Sequence, residues 1–282
     1  MSLSQSQVRA ILQWHLDVGV DETISQEALD RFSLTGLAAP TPGLIQPSEP
    51  VPSAAPSQDK DLPPAFRQPS KPAASINNDA LLKSAYESAG EATNIAELRA
   101  ALESFEGCAL KKTAMNLVFM DGNEKAQVML VGEAPGAEED RQGKPFVGPS
   151  GLLLNKMLAS IGIERDEVAI SNTVFWRPPG NRTPTTQETA ICGPFIERLI
   201  ELIDPDILIT LGGPAAKSLL GQAQGIGRLR GQWFTYSTPR LSHPIDTIPL
   251  FHPAYLLRTP AQKRVTWQDL LKIKAKLAAN TA

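Results

Sequence analysis

The chain has 282 residues, of which 42% are hydrophobic and 20% charged, and a formal net charge of −3. That balance excludes a wholly disordered or strongly basic protein, so bulk charge supplies no attraction to nucleic acid. Two cysteines, Cys108 and Cys192, are too few for a disulfide framework, no apolar run reaches the roughly 20 residues that span a bilayer, and no secretory leader pattern is visible, which together point to a cytoplasmic chain without membrane contact.

Residues 1–35 open with helical spacing, Val8, Ile11, Leu12 and Leu16 falling on one face, and Leu29 and Phe32 suggest a second short helix. Such a segment either packs on the domain or serves as a tethered docking element for a protein partner. Periodicity then stops. Residues 36–75, rich in Pro, Ala, Ser and Gln, cannot bury enough apolar surface to offset chain entropy and read as a disordered linker ahead of a domain at 76–282. Through Asn78 there are five basic and eight acidic residues, leaving 22 of each beyond, so the domain is neutral and would meet DNA only through a local basic face.

From Asp79 to Phe105 the spacing of Ile95, Leu98, Leu102 and Phe105 predicts helix. Short apolar runs follow at Val128–Val131, Val168–Ile170, Ile207–Leu211 and Ile248–Phe251, the pattern of strands covered on both faces. Helical stretches separate the first three. One covers Gly151–Ile161; a longer one reaches Ile203, starts with Thr185 and Glu188 at capping-box spacing, and contains Pro194, which should bend it. Alternating strands and helices predict an α/β domain with a mainly parallel, four-stranded sheet and helices on both faces.

Ligands of such sheets bind beyond the carboxyl ends of the strands. Four irregular segments follow the four strands: GEAPG from Gly132, WRPPGNRTP from Trp176, GGPA from Gly212 and HPAYLLR from His252. Their convergence on one edge puts the site there. Glu133 sits on a tight turn at the end of a buried strand, where a carboxylate neither used nor paired is costly. Glu138 and Glu139 read as a solvated face or helix start. Phe146, within RQGKPFVGPSG, is either a lid over the core or a stacking platform. Asn172 either presents donor and acceptor to a base edge or closes an Asx turn, and His252 either holds a developing anion or is structural. Other templates fail: GPSG is one residue short of a nucleophile elbow, no phosphate-binding glycine loop occurs, and His15, His243 and His252 lack metal-ligand spacing.

GEAPGAEEDRQGKPFVG, NTVFWRPPGNRTP and HPAYLLR, in this order, resemble the signature segments of family-four uracil-DNA glycosylases, over roughly Phe105 to Leu277. The resemblance implies a three-layer α/β/α sandwich and a DNA-repair hydrolase that cuts the bond between uracil and deoxyribose on an extruded nucleotide, leaving an abasic site. By the same resemblance Glu133 orients water or stabilises the cationic sugar, and His252 donates to uracil O2 as the base departs. Phe146 stacks on uracil, Asn172 reads its pairing edge, and Ala134 adjoins the base. Ser150, Arg177, Asn181, Arg182 and Arg258 are implied DNA contacts, and Leu256 or Leu257 the wedge that fills the gap left by the base. Uracil-containing DNA is the expected partner, and the expected state a monomer.

The family also implies four cysteines around an iron-sulfur cluster. Here Phe105 and Trp176 take the first and third ligand positions, while Cys108 and Cys192 keep the second and fourth. Two thiolates are insufficient for a normal cluster, so no metal and no cofactor are expected, with the aromatics filling the space. Two other readings exist. A uracil binder that traps its substrate covalently would carry an inserted basic loop with a histidine, whereas Glu139 and Asp140 run straight into RQGKPFVG. A noncatalytic DNA-binding module would have no use for Glu133, Asn172 and His252.

Overall fold

The computed structural model describes residues 78–281; the helix expected within 1–35 and the linker at 36–75 lie outside the described residues. The first predicted helix is two, α1 (Asn78–Glu91) and α2 (Ile95–Ser104). Asn94 causes the break: its backbone is extended, and its side chain accepts the Glu97 amide at 2.9 Å, which starts α2 as an N-cap. Then come β1 (Met120–Gly122), β2 (Val128–Gly132), α3 (Ala137–Gln142), α4 (Pro149–Ser160), β3 (Ala169–Asn172), α5 (Thr186–Ile203), β4 (Ile207–Leu211), α6 (Gly213–Leu220), α7 (Ile226–Leu229), β5 (Phe234–Tyr236), β6 (Ile245–Leu250), α8 (Pro253–Arg258) and α9 (Lys263–Thr281). The expected capping box is present at α5, where Thr185 and Glu188 bond reciprocally, and the helix continues through Pro194.

The sheet has the order β1-β3-β2-β4-β6-β5. Its four inner strands β3, β2, β4 and β6 are the four apolar runs, and they pair in parallel. Beyond the four-stranded expectation, β1 and β5 add an antiparallel edge on each side. Each has three residues, too short a stretch for alternation to show in the sequence.

Side chains leave a strand alternately to its two faces, and the core divides accordingly. Met129 and Val131 of β2, with Leu208 of β4, pack under α1, α2 and α5 against Ala85, Leu98, Leu102, Ile196 and Leu199. Val128, Leu130, Ile207 and Ile209 face the opposite layer, built on Leu154 and Leu158 of α4, Leu256 of α8 and Ile273 of α9. This makes the expected α/β/α sandwich. Since β3 and β4 flank β2 on opposite sides, the chain reverses direction across the sheet at the carboxyl end of β2, where a crevice opens. No helix among the described residues is long and apolar enough to cross a membrane.

Candidate active site

The carboxyl end of β2 borders a cleft of about 440 Å³. Its walls include Glu133, Ala134, Phe146, Asn172 and His252, with Ser150, Asn181, Arg182 and Arg258 also lining it. Three strand ends supply the chemistry. Parallel pairing runs past the strands themselves, as the Gly132 carbonyl accepts the Thr173 amide at 2.9 Å and the Glu133 carbonyl accepts the Val174 amide at 3.0 Å. The Thr173 hydroxyl also donates to the Glu133 carbonyl at 2.8 Å, so the turn carrying Glu133 is pinned to the end of β3.

Glu133 is half-buried, and its carboxylate makes no hydrogen bond or ion pair among the described residues. Burial raises its pKa above the usual carboxylate value. Asn172 is 2% exposed, yet its amide has no protein hydrogen-bond partner among the described residues. A buried amide left open at the wall of a cleft has unused hydrogen-bonding capacity directed at whatever enters. Gly132 makes this packing feasible: a Cβ there would lie 2.5 Å from Asn172 Oδ1 and 2.6 Å from the Phe146 ring.

His252 caps α8, its Nδ1 accepting the Ala254 amide at 3.1 Å. Its neutral ring therefore carries the proton on Nε2. Burial, and then the positive charge of Arg258, push its pKa down to about 4, with Glu139 opposing. The Phe146 and His252 rings stand 5.6 Å apart with planes inclined by 33°. Phe146 is buried, and its φ of +51° is in the left-handed region that disfavours a bulky side chain.

Other expected contacts separate. Leu256 is 1% exposed and belongs to the core, which removes it as a wedge; Leu257 is 43% exposed. Arg177 does not line the cleft, and its Nε donates to Asn181 Oδ1 at 2.7 Å. Arg182 lines it but forks onto Glu188 at 2.8 and 2.7 Å. Glu138 pairs with Arg141, in keeping with a solvated face. Glu139 stands in the first turn of α3, the expected helix start, but not on a solvated face. It is buried, lines the cleft, and accepts the amides of Val147 and Gly148 at 3.0 and 2.9 Å. Its signal in the sequence is faint: an acid one turn ahead of a Gly- and Pro-rich loop whose amides lack helix partners.

The family model described as the uracil DNA glycosylase superfamily matches residues 119–271, more than half of the chain and both sides of this cleft. The chain belongs to that superfamily. It is 40% identical over 177 residues to the type-4 uracil-DNA glycosylase of Thermotoga maritima, an alignment covering 60% of this chain and 86% of the relative. The protein of the same name from Archaeoglobus fulgidus is 41% identical over 170 residues, covering 59% and 84%. That from Saccharolobus solfataricus is 40% identical over 177 residues, covering 61% and 81%.

An iron-sulfur cluster of the kind implied for these glycosylases needs four thiolates, and the donors here do not fit. Cys108 and Cys192 face each other with Sγ atoms 4.0 Å apart, both buried. Phe105 and Trp176, expected at the other two positions, are buried aromatic rings in the same apolar cluster: the Phe105 ring lies 5.1 Å from that of Phe195, and Trp176 packs edge-on to Phe175 at 6.5 Å. No group of three metal-ligating side chains occurs among the described residues.

Proposed function

We propose that this chain is a uracil-DNA glycosylase that extrudes uracil from DNA and hydrolyses its N-glycosidic bond, leaving an abasic site for repair. The observation that carries this reading is the meeting, in one cleft, of an open buried amide (Asn172), a desolvated carboxylate (Glu133), a neutral histidine (His252) and a buried aromatic face (Phe146). Each addresses a different part of the reaction. Phe146 stacks on the flipped base, Asn172 pairs with its edge, and Ala134 closes the pocket beside it.

His252 donates from Nε2 to uracil O2 as negative charge gathers there; a preorganised donor of this kind costs no reorganisation during the reaction. Glu133 faces the sugar, where an ionised carboxylate stabilises positive charge and orients the attacking water. Ser150, Asn181, Arg182 and Arg258 at the cleft contact the DNA backbone together with Arg177, and Leu257 fills the vacated stack. The reading further has the protein working as a cytoplasmic monomer without an iron-sulfur cluster, with residues 1–35 as a docking element on a linker at 36–75.

The deciding experiment incubates the protein with oligonucleotides bearing uracil, thymine, hypoxanthine or xanthine, followed by alkali. Cleavage at uracil is the expected result. Binding without released base would indicate a noncatalytic module, and an adduct that survives denaturation a covalent trap; both overturn the proposal.

A further inference from the structure

Four polar atoms in three consecutive peptide groups around Phe146 are gripped from two sides by ionic side chains. On one side, a single oxygen of Glu139 on α3, Oε1, accepts the Val147 and Gly148 amides. On the other, Arg165 in the turn before β3 donates from Nη2 to the Pro145 carbonyl at 2.7 Å and from Nη1 to the Phe146 carbonyl at 3.0 Å. Arg165 is itself fixed by Asp121 Oδ2 at 3.0 Å and Asn155 Oδ1 at 2.9 Å.

Between these bonds Phe146 holds its left-handed φ, a strained conformation that persists only where the surroundings over-determine it. The backbone behind is equally constrained, because a Cβ on Gly151 would lie 1.8 Å from the Phe146 carbonyl oxygen. A strained aromatic residue tied through four backbone bonds is more than a core side chain needs, since core packing alone would let it relax to an ordinary φ.

We propose that Glu139 and Arg165 are positioning residues, a two-sided clamp that sets the pitch of the Phe146 ring at the angle required to stack on an extruded pyrimidine. The clamp rests on the glycosylase reading of the cleft. Glu139 acts through the geometry of one acceptor oxygen. A neutral amide that keeps this oxygen should therefore keep the clamp, whereas a side chain of similar length without it should not. Misplacement of a reacting group by about 1 Å can cost about 10²-fold in rate. DNA affinity, which depends on backbone contacts elsewhere, should be spared.

The test compares full-length wild type with Glu139→Gln, Glu139→Met and Arg165→Met. Three readouts are single-turnover release from uracil DNA, equilibrium binding of free uracil, and affinity for abasic duplex. Both Met variants should lose about tenfold or more in rate and in uracil binding while abasic-DNA affinity stays within about twofold, and Glu139→Gln should recover most of the loss. Folded Met variants that match wild type overturn the clamp. So does a Gln variant as impaired as Met, which would assign the carboxylate a direct charge role. Should the Met variants fail to fold, Glu139→Gln against Arg165→Lys carries the comparison: Lys impaired and Gln near wild type supports the clamp, and any other order overturns it. A wild type that binds uracil without excising it sinks only the glycosylase reading, and the uracil-binding comparison still decides the clamp. A wild type that neither binds nor excises uracil overturns both.

Discussion

His252 Nδ1 accepts the amide of Ala254 at 3.1 Å, so the turn that begins α8 also fixes Nε2 as the nitrogen that carries the proton of the neutral ring. With burial and Arg258 holding the pKa at about 4, the ring is neutral at pH 7, as the proposed role of a hydrogen-bond donor requires. His252→Ala should lower single-turnover excision by about 10²–10³ while leaving affinity for uracil DNA nearly unchanged. Equal losses in both would place the residue in binding. The same shift has a stability consequence. An unfolded histidine titrates near 6.5 and this one near 4, so between those values the unfolded state binds the extra proton. Its contribution is complete above about pH 6.5 and falls as pH drops toward 4, which denaturant midpoints across that window should follow unless His252 is replaced.

Glu133 must be ionised to stabilise a cationic sugar or hold water, and desolvation raises its pKa above 4.5. The rate should therefore fall on acidification with a midpoint above the ordinary carboxylate value. Glu133→Gln should remove this limb along with most of the activity. An unchanged pH profile in the Gln variant would take Glu133 out of the reaction.

In the proposed edge-reading role Asn172 would offer uracil both a donor and an acceptor, whereas an ionised Asp offers acceptors only. Asn172→Asp should reduce the preference for uracil over cytosine at the same DNA affinity. Competition between matched uracil and cytosine oligonucleotides in single-turnover assays measures it, and an unaltered uracil rate would leave the edge-reading role without support.

The two leucines of α8 give opposite expectations. Leu256→Ala removes a fully buried side chain and should destabilise the fold by about 2–5 kcal/mol, measured by denaturant unfolding. Leu257→Ala, at an exposed position, should leave stability within about 0.5 kcal/mol but slow excision from duplex more than from single-stranded substrate. Equal effects on both substrates would remove the wedge.

What the sequence disclosed depended on whether a residue's role is local. Strands buried on both faces must be apolar throughout, so the four inner strands were legible, and so was the edge on which their loops meet. β1 and β5 carry no such signal over three residues each, and Asn94 interrupts a stretch whose apolar spacing otherwise reads as continuous helix. Glu139 resembles its solvated neighbour Glu138 because nothing in a Glu-Glu-Asp run announces that the Val147 and Gly148 amides fold back onto it. Arg165 was hidden for the same reason, its partners lying 19 and 20 residues away. The choice between Leu256 and Leu257 turns on the phase of a six-residue helix, which only its packing against the sheet decides.

The pair Cys108 and Cys192 separates structure from chemistry. Both thiols lie in the layer of α1, α2 and α5, among Phe105, Trp176 and Phe195, and neither lines the cleft. The buried rings of Phe105, Trp176 and Phe195 pack apolar surface around the two thiols, so the local fold should hold by packing. Purified protein should be colourless and contain far less than stoichiometric iron, and chelator treatment should change neither its melting temperature nor its excision rate. Replacing both cysteines with alanine should cost stability through lost packing yet leave the single-turnover rate of the folded protein within about twofold, since no cleft residue is displaced. Stoichiometric iron with absorption near 400 nm, or chelator-sensitive activity, would instead mean that other groups complete the ligand set.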